Sequence, residues 1–167
     1  MASAKRITKE LQECESSPPP GLSIAYSESN IYVWIVTLQG PPGTVYAGGV
    51  FTLTLTLPTE YPFKAPGVVF NTRIYHPNVT NDNAGNICLS LLKPEHWKPA
   101  SRIKGVLEAV RQLLVEPQPD DALEARIADE YKNNRAEFDK NAKSYVQRYA
   151  KAGGGNGGGG AGAEGTK

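Results

Sequence analysis

Between residues 50 and 57 the chain alternates without a break. Phe51, Leu53, Leu55 and Leu57 fall on one side, and Thr52, Thr54 and Thr56 on the other. A period of two over this length is the pattern of an antiparallel strand with one face on a core and the other in water. Its neighbours supply partners. Residues 31–38 are β-branched and aromatic, and Gly40-Pro41-Pro42-Gly43 ends that run. Beyond the alternating strand, the punctuated stretch 58–66 leads into Val68-Val69-Phe70. Connections this short suit a meander, not helical crossovers.

Helical spacing brackets these strands. Over residues 4–15, Ala4, Ile7, Leu11 and Cys14 make one apolar stripe, with Lys5, Arg6, Lys9 and Glu10 directed elsewhere. The Pro-Pro-Pro-Gly run at 18–21 stops that helix. Later, Ile103, Val106, Leu107, Val110, Leu113 and Leu114 recur at a 3.6-residue period, with Ser101 as the expected N-cap and Pro117 as the stop. Asp120 and Asp121 are expected to open a helix carrying Ile127 and Tyr131; a last helix carries Phe138, Ala142, Tyr145 and Tyr149. Strands first and helices after give an α+β class. Residues 152–167 are dominated by glycine and offer no face to bury, so a disordered tail is expected after one domain at 1–151.

The remaining composition excludes several functions. A net charge of +1 sets up no strong field, so neither nucleic acid nor a membrane surface is the expected partner. Two distant cysteines make neither a disulfide framework nor a Cys-x-x-Cys pair. The N-terminal residues show no apolar signal region, and no apolar run approaches the ~20 residues of a membrane helix. A cytoplasmic or nuclear protein is expected. Cys14, His76, Cys88 and His96 lack paired ligand spacing, so no metal site is expected.

The chemistry concentrates at residues 75–97, YHPNVTNDNAGNICLSLLKPEHW. A lone cysteine is most often a small buried hydrophobe, and Cys14 on its apolar stripe fits that description. Cys88 instead follows a loop rich in Asn, Asp and Gly, a context that favours a working thiol. His76 would suggest a Cys-His hydrolase, yet a histidine between Tyr75 and Pro77 at a turn is more simply structural. Asn78 either stabilises the turn or donates its amide to an oxyanion. Asp120 and Asp121 are capping residues unless the fold brings one beside Cys88.

In this order and near this spacing, five motifs resemble those of the ubiquitin-conjugating enzyme (E2) family. They are Tyr61-Pro62-Phe63-Lys64-Ala65-Pro66, Tyr75-His76-Pro77-Asn78, Gly85-Asn86-Ile87-Cys88-Leu89, Trp97-Lys98-Pro99-Ala100 and Pro117-Gln118-Pro119-Asp120-Asp121. The resemblance spans residues 4–151. It implies an N-terminal helix, a four-stranded antiparallel meander, an active-site loop and three C-terminal helices. It implies acyl transfer: Cys88 takes the ubiquitin C-terminus from an activating enzyme as a thioester and passes it to a lysine or a ligase cysteine. ATP is consumed by the activating enzyme, so no cofactor is implied here.

Site residues follow from the same resemblance. Asn78 would stabilise the oxyanion or support the loop of Cys88, Asp121 would orient the acceptor lysine, and Ser90 stands near the thiol. Lys5, Arg6, Lys9, Pro62, Phe63, Lys98, Pro99 and Ala100 would meet the activating enzyme and ligases of RING, HECT or RBR type. Ser23 would bind a second ubiquitin on the sheet's back. The chain is expected to act as a monomer.

Departures from the family pattern are informative. The loop from Asn78 to Cys88 is about two residues longer than in common chain-building members. Ser90 replaces a frequent acidic residue, and Glu108 stands where several members have an apolar one. Lys98 is similar to members that serve cysteine-bearing ligases, whereas Asp121 keeps the lysine-directed group. Discharge to both acceptors is implied. The alternatives are conjugation of a ubiquitin-like protein, a non-catalytic binding module of the same fold, and a Cys-His hydrolase.

Overall fold

The computed structural model describes residues 2–151, and the expected tail at 152–167 lies outside them. The chain runs α1 (Ala2–Ser16), β1 (Leu22–Ser27), β2 (Asn30–Gln39), β3 (Val50–Thr56), β4 (Gly67–Phe70), α2 (Ile103–Val115), α3 (Ala125–Asn133) and α4 (Arg135–Tyr149). The strands pair in sequence order, each antiparallel to the next, which is the expected meander. Phe51, Leu53 and Leu55 are buried to within 1% of full burial, while Thr56 is exposed and Thr52 and Thr54 lie between. The alternation thus does what its period requires. No described helix is long and apolar enough to cross a membrane.

One strand escapes a reading based on composition alone. β1 follows the proline run and places Ser23, Ala25 and Ser27 outward, small residues that weaken its apolar signal. Register with β2 fixes it, through pairs such as Leu22 with Leu38 and Ile24 with Val36.

Two helix starts differ from expectation. Ser101 is not the cap of α2; that position belongs to Arg102, which makes no capping bond through its side chain. The first helical N–H, at Ile103, donates instead to Oε1 of Glu10 at 2.7 Å. Glu10 is therefore not on the outer side of α1 but 1% exposed, where Tyr61 Oη also donates to it at 2.7 Å and Arg6 pairs with it. A carboxylate reaching from another helix supplies more charge to the α2 dipole than a serine could. Asp120 and Asp121 do not open α3. They close a 3-10 turn, Pro119–Asp121, and α3 begins at Ala125.

α1 contributes Ile7, Leu11 and Cys14 to the core, and α2 contributes its six expected apolar residues. Trp34, Val36 and Leu38 cover them from β2. Residues 71–101, between sheet and α2, carry little regular structure, and there the chemistry gathers.

Candidate active site

His76 is the base of the site, not its reagent. It is fully buried, with Nε2 bonded to the Leu113 carbonyl at 2.9 Å and Nδ1 accepting from the Asn78 N–H at 3.0 Å. Both ring nitrogens are spent within the fold. Burial lowers its pKa to about 4, so the ring stays neutral near pH 7. The turn role expected for it is what the geometry provides.

Asn78 stands on that base, also fully buried. Its backbone carbonyl accepts from the Cys88 N–H at 2.8 Å. Its side chain faces the Pro119–Asp121 turn: Nδ2 donates to the carbonyls of Gln118 (2.8 Å) and Asp121 (3.1 Å), and Oδ1 accepts from Gln118 N–H at 2.9 Å. One residue thus fastens the Cys88 segment on one side and the Pro119–Asp121 turn on the other. Leu123 and Glu124 N–H add to this by donating to the Pro77 carbonyl at 2.9 and 3.1 Å.

Beyond Asn78 the loop doubles back. Thr80 N–H donates to Asn86 O at 2.9 Å, and Val79 bridges Ile87. Asp82 closes the tip by accepting from Thr80, Ala84 and Gly85. These donors hold its carboxyl below the usual range, the Thr80 hydroxyl foremost. Gly85 has φ of +61°, and a Cβ there would meet the Phe70 carbonyl oxygen at 2.0 Å. Only glycine fits that crossing.

Cys88 emerges from this frame half-buried, in contrast to Cys14 in the core at 1% exposure. Burial pushes the Cys14 thiol up to about 11. The Cys88 thiol is also raised, first by partial burial and then by the Asp121 carboxylate, with Lys93 opposing. The sulfur is therefore accessible and largely protonated near pH 7. Asp121 is exposed, and its Oδ2 accepts from Lys93 Nζ at 2.9 Å. Ser90, exposed two residues after the thiol, bonds His96 Nδ1 at 3.1 Å.

A second cluster lies around α1. Trp97 Nε1 donates to Pro62 O at 2.7 Å and its ring packs at 6.1 Å from Tyr61, joining the segment of Pro62 and Phe63 to that of Lys98, Pro99 and Ala100. Phe63 is 76% exposed between its prolines. Arg6 spends its guanidinium on Glu10 and on the carbonyls of Pro99 (3.1 Å) and Ser101 (3.0 Å). Lys5 and Lys9 remain exposed on the same helix. Ser23 is exposed on the open face of the sheet, paired with Thr37. Glu108 is exposed on α2.

Cys88, Asn78, Asp121 and Ser90 are thus brought together, and Pro62, Phe63, Lys98, Pro99 and Ala100 lie in a separate patch. Lys93 and Glu10 were missed. Spacing alone gives no signal for Lys93. Glu10 could have been found, because it lies three residues after Ile7 and four before Cys14, inside the apolar stripe.

Comparison with known proteins bears on this arrangement. The family described as ubiquitin-conjugating enzyme matches residues 6–146. A curated relative, Ubiquitin-conjugating enzyme E2 14 of Schizosaccharomyces pombe, is 44% identical over 151 residues, covering 90% of this chain and 96% of the relative.

Proposed function

The chain belongs to the ubiquitin-conjugating enzyme family, and from that premise we propose that Cys88 is the atom that carries ubiquitin. The family's partners in general are ubiquitin, an activating enzyme and ligases. The observation that carries the assignment is a half-exposed thiol beside the carboxylate of Asp121, both hung from Asn78. Cys14 offers no rival, being sealed in the core.

In the loading step, the Cys88 thiolate attacks the ubiquitin carbonyl carbon held as a thioester on the activating enzyme. The tetrahedral oxyanion collapses, the activating enzyme's thiolate leaves, and a new C–S bond remains on Cys88. The exchange is nearly balanced, so an accessible thiol matters more than an acidic one. A raised pKa lowers the thiolate fraction, and the greater nucleophilicity of the more basic thiolate offsets part of that loss.

Discharge to lysine is harder. An amine of pKa ~10.4 is neutral in only about one molecule in 2,500 at pH 7. Asp121 orients the incoming ammonium and takes up its proton. The freed lone pair then attacks the carbonyl, the C–S bond breaks as the amide forms, and the nitrogen's surplus proton passes to the departing Cys88 sulfur. Discharge to a ligase cysteine exchanges one thioester for another and makes no such demand. Asn78 acts by holding the frame: both its amide hydrogens and its oxygen are directed to residues 118–121.

The patch of Pro62, Phe63, Lys98, Pro99 and Ala100, with Lys5 and Lys9 on α1, receives the activating enzyme and ligases of RING, HECT or RBR type. An exposed Phe between prolines is a suitable anchor for an interface. Ser23 offers a contact for a second ubiquitin on the open face of the sheet. The chemistry needs no cofactor on this chain, ATP being spent upstream, and a free thiol suits the reducing cytoplasm or nucleus.

Incubation with activating enzyme, ATP and ubiquitin tests this on a non-reducing gel. We expect a thiol-sensitive adduct that disappears in Cys88→Ala. No adduct, or one that persists in the variant, defeats the assignment. Loading with a ubiquitin-like protein and not with ubiquitin would transfer the mechanism to that modifier.

A further inference from the structure

Lys93 has no part in the transfer described above, yet its ammonium sits on the carboxylate to which the acceptor amine was assigned. Nζ donates to Asp121 Oδ2 at 2.9 Å, with the two side chains 33% and 46% exposed. Backbone hydrogen bonds fix its place in the chain. Lys93 N–H donates to Ser90 O at 3.1 Å, and its carbonyl accepts from His96 and Trp97 N–H at 2.8 and 2.9 Å.

We propose that Lys93 is a resident competitor for the acceptor carboxylate, and so sets the balance between lysine and cysteine acceptors. The proposal rests on the role given to Asp121. An incoming lysine meets a group of its own chemistry, tethered and already in contact with Oδ2, which offsets the charge of the carboxylate. A cysteine acceptor needs no carboxylate and meets no such competition. The pair holds Lys93 on the carboxylate as an ammonium, the hydrogen bond to Asp121 and then its charge pushing the pKa up. A half-exposed ion pair biases such an exchange by about two- to fivefold.

The test uses enzyme preloaded with ubiquitin, with loading stopped, then discharged into a series of free lysine or free cysteine concentrations. For Lys93→Gln we expect the half-saturating lysine concentration to fall about two- to fivefold, with a smaller effect on the maximal rate. The ratio of lysine to cysteine discharge should rise, and Lys93→Arg, which keeps the competitor, should resemble the parent. An unaltered lysine response in Lys93→Gln overturns the proposal, as does equal acceleration toward both acceptors. Ubiquitin found by mass spectrometry in an isopeptide bond to Lys93 of the parent also overturns it. Asp121→Ala separates the two levels. If it slows both acceptors equally, the role of Asp121 fails; if it slows lysine selectively while Lys93→Gln does nothing, only the competitor falls.

Discussion

The thiol of Cys88 is tuned by two neighbours of opposite sign. Asp121 disfavours the thiolate and Lys93 favours it, on top of a larger effect of burial. Removing the carboxylate charge must therefore make the thiol more acidic. In Asp121→Asn, the pH profile of Cys88 alkylation should shift to lower pH relative to the parent, measured with Cys14 protected by its burial. A shift in the other direction would mean that the carboxylate does not face the sulfur. The same substitution should impair discharge to lysine, so a more reactive thiol would accompany a poorer enzyme. Reactivity and transfer are separate properties of this pair.

Among the elements, α1 holds an unusual position because Glu10 joins it to α2 and to Tyr61 at once. Replacing it with Ala strands a helix N-terminus, a tyrosine hydroxyl and Arg6 together. Breaking a buried pair of this kind costs about 3–5 kcal/mol, and we expect Glu10→Ala to lose about that amount in chemical denaturation, with Glu10→Gln losing less. Equal stability of Ala variant and parent would show that the cap is idle. This element also marks where sequence reading ran short. The stripe of Ile7, Leu11 and Cys14 was legible, as were β2, β3, β4 and α2, because each buries one face at its own period. The place of Glu10 inside that stripe was legible, but its partners, Tyr61 and Ile103, were not, because they are far away in the chain. β1 was faint because its outward residues are small. Asp121 could be singled out through a motif, but its lysine neighbour only through folding, since nothing in the order of residues announces an ion pair across 28 positions.

For the molecule as a whole, His76 ties acid stability to the site. Its folded pKa of about 4 lies below the ordinary value of 6.5. Above pH 6.5 neither state is charged there and the full contribution is present. As pH falls from 6.5 toward 4, the unfolded chain takes up a proton that the folded one refuses. Stability should therefore drop by roughly 3 kcal/mol across that window, and His76→Gln should flatten the slope. A slope of parent size in His76→Gln would place the acid sensitivity elsewhere. The frame that His76 anchors also accounts for a peculiarity of this chain. Residues 78 and 88 are clasped at the neck of the loop, and the same asparagine grips the far turn. Extra length inserted above that neck is carried outboard, at the tip closed by Asp82, and leaves the separation of sulfur and carboxylate untouched. Growth is cheap there, and the reach of the tip toward an incoming protein can vary without retuning the reaction beneath it.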